Sequence, residues 1–401
     1  MFQDVQLAPP DAILGITEAF NKDPNPAKIN LSVGVYKDAG GKTPVLPSVK
    51  EAERRILAGE ASKGYMPIDG SPAYTGAVQA MLFGEGHEVI TSNRAATCHT
   101  PGGTGGLRVA GDYLAKVHGK PTVLVSDPTW ANHDAIFQAS GLPVRAYTYF
   151  DAKTNGLNFE GMIASLKEAA AGSVVLLHGT CHNPTGVDPT PEQWQTIAEV
   201  VAEKGLLPLV DFAYQGFAKG IREDATCVSA LLAKVKEMII VSSFSKNFGL
   251  YNERTGAMTI VAADADAAAK VMSQVKICIR TNYSNPPAHG GIIVTTILSD
   301  AALRSQWEGE VAQMRDRIQA MREAFVKGLD TRGVKLSPAG NDFIIHQNGM
   351  FSFSNLNKDQ VKTLKEKYSI YIVGSGRINV AGMTEANMGP LCDAIASVAK
   401  G

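Results

Sequence analysis

Between residues 120 and 261 the chain alternates short β-branched apolar runs with helical patterns. That alternation restricts it to an α/β fold with a mostly parallel central sheet. The runs are Thr122–Ser126, Ser173–His178, Leu207–Asp211, Met238–Ser242 and Gly256–Val261. The helix between the second and third is marked at both ends. Thr190 can cap it, Pro191 suits its first turn, Gln193 completes a capping box, and Gly205 lies just past its end. Polar clusters follow the runs. After the first comes Asp127-Pro128-Thr129-Trp130, after the second Gly179-Thr180-Cys181-His182-Asn183-Pro184-Thr185-Gly186. The third ends in Asp211-Phe212-Ala213-Tyr214, and the fourth opens into Ser242-Ser243-Phe244-Ser245-Lys246. Open α/β sheets bind ligands beyond the carboxyl ends of their strands, so the four clusters are expected to converge on one crevice.

The C-terminal region has another character. A long helical pattern from about Asp300 to Leu329 precedes β-like pieces at Phe343–His346, Met350–Phe353 and Ile378–Val380. These predict a smaller α+β domain, joined by an N-terminal strand over Ile29–Gly34. The first dozen residues, with Pro9-Pro10, read as an arm. The expected division is an arm at 1–12, a first part of the small domain at 13–43, a large domain at 44–313 and the rest of the small domain at 314–401. A chain of 401 residues with 45 % apolar and 19 % charged content accommodates this division with a sizeable core.

Charge and punctuation exclude several function classes. A formal net charge of -1 gives no reason to expect nucleic acid or an anionic membrane surface. No apolar run approaches the ~18 residues of a membrane span. The opening MFQDVQLAPPD has neither a secretory nor an Arg-rich transit pattern, which predicts a cytoplasmic protein. Five cysteines (Cys98, Cys181, Cys227, Cys278, Cys392) are scattered and contain no C-x-x-C pair. They fit reduced thiols, and Cys181-His182 lacks the second ligand pair that zinc needs.

The chemistry concentrates in Ser242 to Gly256. Lys246 stands among serines at the end of an apolar strand, and Arg254 follows eight residues later. Such a lysine can form a Schiff base, while the hydroxyls and the guanidinium can hold a phosphate. Pro101-Gly102-Gly103-Thr104-Gly105-Gly106-Leu107-Arg108 opens a helix running to Val117, and its glycines and free N–H groups suit a phosphate cradle as well as a plain glycine-rich turn. A dinucleotide fingerprint is a weak match, because Arg108 stands at its third glycine. Asp211 ends an otherwise apolar strand, where a carboxylate is costly unless paired.

The stretch Ser242–Gly256 closely resembles the pyridoxal-phosphate lysine segment of the fold-type I, class I aminotransferases, in the aspartate and aromatic amino-acid branch, and the resemblance covers essentially the whole chain. It implies a PLP-dependent transferase fold and an active site with assigned parts. Lys246, Asp211 and Tyr214 would be catalytic: Lys246 carries the cofactor and moves a proton, Asp211 meets the pyridine nitrogen, and Tyr214 and Asn183 meet the ring oxygen. Gly103, Thr104, Ser243, Ser245 and Arg254 would hold the phosphate. Trp130 would stack on the ring, with His133 behind Asp211. Gly34, Trp130, Asn183 and Arg377 would bind substrate together with Arg280. The family places the counterparts of Arg280 and Tyr65 in the neighbouring subunit's site, Tyr65 on the phosphate, which implies a homodimer with shared active sites. The family's arm likewise lies on the second subunit.

Two arginines suit a substrate with two carboxylates, Arg377 for the α-carboxylate and Arg280 for the side chain. The resemblance therefore implies amino transfer between L-aspartate and 2-oxoglutarate, giving oxaloacetate and L-glutamate. Val35, Lys37, Thr43, Thr104 and Asn285 match the aspartate type, whereas Gly64 departs from its usual asparagine. The rival enzyme is an aromatic amino-acid aminotransferase with dual specificity. A decarboxylase or lyase of the same fold fits two arginines less well. A PLP-fold regulator would need an added DNA-binding domain, for which neither terminus is expected to have room. No role is expected for His87, His99, His118, His289 or His346.

Overall fold

In the computed structural model, residues 2–8 and 14–399 are described. Seven strands form one sheet in the order Ala95–Pro101, Thr255–Val261, Met238–Ser243, Leu207–Phe212, Val174–His178, Val123–Asp127, Val144–Thr148. Thr255–Val261 is antiparallel to both of its neighbours, and every other pairing is parallel. The carboxyl ends of six strands and the amino end of the antiparallel one therefore share an edge. The five expected strands are present within a residue of their predicted bounds. Ala95–Pro101 and Val144–Thr148 were not expected: Ala-Ala-Thr-Cys-His-Thr-Pro lacks an apolar run, and Val-Arg-Ala-Tyr-Thr is half-exposed at the sheet edge.

The near-continuous apolar runs reflect burial on both faces. Val174, Leu176, Leu209, Ile239 and Val241 point into one apolar layer with Leu107, Leu114, Val275 and Ile279 of the helices Gly102–Val117 and Ala265–Asn282. Val175, Leu177, Val210 and Ile240 point into the other layer with Trp194, Ile197 and Val201 of helix Pro191–Glu203. That helix carries the expected capping box between Thr190 and Gln193. Helix Gly102–Val117 begins five residues earlier than Leu107, so the glycines form its first turns rather than a loop before it. Gly106 is a requirement of packing, since a Cβ there would lie 2.7 Å from Val241 Cγ1.

Helix Ala301–Thr331 runs for 31 residues. Leu303, Trp307, Val311, Met314, Ile318, Met321, Phe325 and Leu329 recur at helical spacing and are buried. Trp307 stacks on Phe248 at 4.3 Å between ring centroids. Its indole N–H donates to the Asn247 carbonyl at 2.8 Å, next to Lys246. Near its other end the same helix packs on Glu385–Ala399.

Two β-like expectations change in this region. Phe343–His346 is a helical turn, closed by Ile344 N–H to the Asn341 carbonyl at 3.0 Å and Ile345 N–H to Asp342 at 3.0 Å. A four-residue apolar run cannot be assigned by periodicity alone. Ile29–Gly34 pairs as a strand only over Ile29–Asn30, against Ile370–Tyr371. Beyond that the Leu31 carbonyl takes the Asn379 backbone N–H at 2.8 Å, and side chains take the next ones: Ser32 by Arg377 and Val33, with Val35 just past the segment, by Asn379. Of the expected arm, residues 2–8 are irregular and exposed, with Leu7 99 % accessible. Met1 and residues 9–12 lie outside the described residues, as do Ile13, Lys400 and Gly401. Among the described residues, no helix is long and apolar enough to cross a membrane.

Arg322 holds this C-terminal part together. It is 1 % exposed and donates to the carbonyls of Ile344 (2.9 Å), Gly349 (2.7 Å) and Phe351 (2.7 Å). Burial pushes its pKa down to about 10, so it stays charged at neutral pH. Replacing it with methionine strands three buried acceptors, and a loss of about 3 kcal/mol is expected. The midpoint of urea unfolding for Arg322→Met against the parent measures this, and an unchanged midpoint contradicts it.

Candidate active site

The shared strand edge opens into a cavity of about 400 Å³. Its lining includes Gly34, Gly103, Thr104, Trp130, Asn183, Asp211, Tyr214, Ser243, Ser245, Lys246, Arg254 and Arg377. The loop clusters named from sequence thus meet in one place. The antiparallel strand explains Arg254: it immediately precedes Thr255, so running the strand backwards delivers it to the same edge.

Asp211 and its partners form the floor. Asp211 pairs in register with His178 on the neighbouring strand. His133 Nε2 donates to Asp211 Oδ2 at 3.0 Å, and Thr129 Oγ1 joins His133 Nδ1 (2.8 Å) to His178 Nε2 (3.2 Å). Burial alone would raise the Asp211 carboxyl. The His133 hydrogen bond, the largest opposing cause, and the nearby Lys246 amine outweigh it and hold the carboxyl below its ordinary value. Burial, with a smaller contribution from His133, drives His178 down to about 3, so it is neutral at pH 7. Asp211 Oδ1 has no hydrogen-bond partner among the described residues, which leaves an anionic oxygen for the cavity.

Lys246 follows the strand Met238–Ser243, with Nζ 4.9 Å from the centre of the Tyr214 ring. Burial lowers its pKa, Asp211 works against that, and Arg254 adds to it. Tyr214 is pushed above its ordinary range by burial and remains a phenol donor. Together they place an amine of lowered pKa beside a hydroxyl and a carboxylate.

The other wall carries positive charge and free donors. Gly102 has φ +71°, and a Cβ on it would lie 2.6 Å from Arg254 Nη2, so the guanidinium rests on bare backbone at the helix start. Ser243 donates to Ser245 at 3.2 Å beside it. Two hydroxyls, a helix N-terminus and an arginine make a donor set for a dianionic phosphate.

Arg377 completes the rim from the antiparallel strand pair Phe351–Phe353/Arg377–Asn379. It is 5 % exposed, lies 4.2 Å from the centre of the Phe351 ring, and donates to Asn183 Oδ1 (3.2 Å) and the Ser32 carbonyl (2.6 Å). Its Nε is buried without a partner, and burial lowers its pKa to about 10. Gly34 makes this arrangement fit, because a Cβ there would lie 2.4 Å from Phe351 Cζ.

Tyr65 and Arg280 are not brought to this cavity. Tyr65 is 97 % exposed, and Arg280 is exposed with its guanidinium donating to Ser284. They share a surface: Asn285 Nδ2 donates to the Met66 carbonyl at 3.0 Å, and Lys276 pairs with Asp69 at 2.9 Å. Of the aspartate-type set, Val35 and Thr104 line the cavity, whereas Lys37, Thr43 and Asn285 do not. Sequence reasoning missed His178, Phe351, Tyr251 and the Ser32 carbonyl. His178 carried the signal that marked Asp211, a polar residue ending an apolar strand. Phe351 carried none.

Comparison with known proteins gives a consistent result. The model of a family described as aminotransferase class I and II matches residues 26–395. The chain is 57 % identical to an aspartate aminotransferase of Salmonella typhi over 400 residues, covering 99 % of this chain and 100 % of that protein. It is 56 % identical over 400 residues to an aspartate aminotransferase of Escherichia coli K12, with the same coverage. Among solved structures, an aromatic-amino-acid aminotransferase of Burkholderia pseudomallei, covalently bound to pyridoxal phosphate, superposes with a TM-score of 0.96 at 46 % identity, covering 100 % of this chain and 99 % of that one.

The Lys246 environment has a measurable signature. In cofactor-free protein, reductive methylation of Lys246 with formaldehyde and cyanoborohydride is expected to rise with a pH midpoint below that of an ordinary lysine. The neutral amine is the reacting form, and burial favours it. Mass spectrometry across a pH series reads it. A midpoint at or above the ordinary value would mean that Asp211 outweighs burial.

Proposed function

This chain belongs to the class I and II aminotransferase family, and from that premise we propose that it exchanges the amino group between L-aspartate and 2-oxoglutarate with pyridoxal 5'-phosphate as cofactor. One observation carries the reading: Lys246, Asp211, Arg254 and Arg377 line a single cavity in complementary positions. The cavity chemistry fits the cofactor group by group. The unpartnered Asp211 oxygen suits a protonated pyridine nitrogen, and the Gly103, Thr104, Ser243, Ser245 and Arg254 wall suits a phosphate. Trp130 offers a flat face, and Asn183 and Tyr214 offer donors to the ring oxygen. When bound, the cofactor supplies a cationic ring that accepts the electron pair left as the substrate Cα loses its proton.

The chain's own groups do the rest. Lys246 would hold the cofactor and would act as the base toward the Cα proton, a role suited to an amine whose burial favours the neutral form. Asp211, kept ionised by the His133 hydrogen bond, would stabilise a protonated ring nitrogen. Arg377 and Asn183 take the α-carboxylate, whose oxygens would satisfy the orphaned Nε.

The second carboxylate needs Arg280. That residue is exposed and away from the cavity of its own chain, and it shares a surface with Tyr65 and the half-exposed Ile277. This supports a homodimer in which Tyr65 and Arg280 of one copy enter the site of the other, with the arm across the partner. The proposed division remains an arm (1–12), a large domain (44–313) and a small domain built from 13–43 and 314–401. The proposed location is the cytoplasm. The aromatic reading stays second, because the chain is 57 % identical to an aspartate enzyme and 46 % to an aromatic one.

Mixing tests the shared site. Lys246→Ala subunits and Arg280→Ala subunits are each expected to be nearly inactive toward aspartate. Their heterodimer holds one site with both defects and one with neither, so activity should partly return under exchange conditions. Heterodimers that form and stay inactive would dismiss the shared site.

Specificity gives a separate test. Arg280→Leu should lower kcat/KM for aspartate at least tenfold, about 1.4 kcal/mol, and leave phenylalanine within a few-fold. Steady-state kinetics on both donors measures it. Equal losses would remove Arg280 from side-chain recognition, and a parent preference for phenylalanine would favour the aromatic reading.

A further inference from the structure

We propose that Asp188 is a positioning residue for the α-carboxylate clamp, fixing the turn that carries Asn183 and tying it to the strand pair that carries Arg377. The proposal rests on the clamp reading given above.

Asp188 lies ten residues beyond the strand Val174–His178 and turns back onto the loop that leaves it. Its two oxygens take consecutive backbone amides of that loop, Oδ2 from Cys181 N at 2.8 Å and Oδ1 from His182 N at 2.9 Å. A carboxylate accepting adjacent amides fixes the orientation of both peptide planes. The turn needs that support, because Cys181 has φ +53°, a left-handed conformation costly for a residue with a Cβ. Asn183 is the next residue after the pinned pair. Its side chain lines the cavity and accepts from Arg377 Nη1 at 3.2 Å.

The same carboxylate reaches the other half of the clamp. Asp188 Oδ2 also accepts from Asn348 Nδ2 at 3.0 Å, and Asn348 N–H donates to the Gly186 carbonyl at 2.7 Å. Asn348 leads into Phe351, whose ring lies under the Arg377 guanidinium and whose strand pairs with Arg377–Asn379. The seam is close-packed by two glycines. A Cβ on Gly349 would lie 2.4 Å from Cys181 Cβ, and one on Gly186 would lie 2.9 Å from both Gln347 Cβ and the Phe351 carbonyl oxygen. Loops 180–188 and 347–351 thus meet as one rigid seam with Asp188 at its centre. No cation pairs with Asp188 among the described residues. Burial raises its carboxyl, and the His182 and Cys181 amides and Asn348 hold it partly back. Its partners are donors that place backbone, which is the signature of a positioning group rather than a surface charge.

A double-mutant cycle in the holoenzyme tests this, with Asp188→Ala, Asn183→Ala and the double variant. The readouts are KM and kcat for aspartate and the Kd of succinate by calorimetry. In the parent background Asp188→Ala should raise KM and the succinate Kd about tenfold, and in the Asn183→Ala background less than about threefold, because the residue acts through Asn183. If Asp188→Ala fails to fold, Asn348→Ala removes one donor and keeps the two amides paired, and the same cycle with it should give a smaller but equally non-additive loss. Losses that multiply in either cycle overturn the positioning role. So does a lowered melting temperature with an unchanged succinate Kd. If Asn183→Ala alone leaves both binding constants unchanged, the clamp reading itself falls, an outcome separate from failure of the Asp188 proposal.

Discussion

Everything in this molecule depends on the polarity of one sheet. Six strands run one way and Thr255–Val261 runs back between two of them. A parallel strand must be followed by a crossover, so its exit loop is free to carry chemistry, and all such exits lie on one side. The single reversed strand adds its entry to that side. Trp130, Asn183, Asp211, Ser243 and Lys246 come from exits, and Arg254 comes from the entry. No long excursion is needed to gather them.

The edge is expensive electrostatically, and the packing answers that locally. Asp211 and Arg377 are both nearly out of water. An isolated buried ion is strongly disfavoured, so each is held by directed hydrogen bonds. Asp211 has His133 behind it, and Arg377 has Asn183, the Ser32 carbonyl and the Phe351 ring. Each nevertheless keeps one polar atom without a protein partner, Oδ1 on Asp211 and Nε on Arg377. Those two atoms have opposite charge character and belong to residues that line the same cavity, which suits a zwitterionic or dipolar ligand. Arg322 and Asp188 do comparable work behind the rim, where they bind backbone and hold loops in place.

The sequence showed more of the large sheet than of the region around Arg377. Apolar runs buried on both faces are easy to recognise, and their polar termini identified Asp211 and Lys246 without any tertiary information. The same rule applied to His178 would have placed it on the cavity floor. Phe343–His346 shows the limit: four apolar residues fit a strand or a helical turn, and Arg322, twenty-two residues away from Ile344, takes that turn's carbonyl. Ile29–Gly34 has strand composition, but side chains from residues 377 and 379 intercept the Ser32 and Val33 carbonyls.

Local chemistry in the chain determined five of the seven sheet strands, the capped helix 191–203, the amine at 246 and the carboxylate at 211. Each follows from neighbours a few residues apart, because propensity, capping and polar strand ends are short-range properties. Tertiary structure alone decided that Arg254 arrives by a reversed strand and that Gly34 makes room for Phe351 beneath Arg377. It also decided that Asp188 binds both Asn183's turn and residue 348, and that Tyr65 and Arg280 face outward together. Most of those relations join residues more than 100 positions apart, and only the packed three-dimensional neighbourhood sets which of them touch.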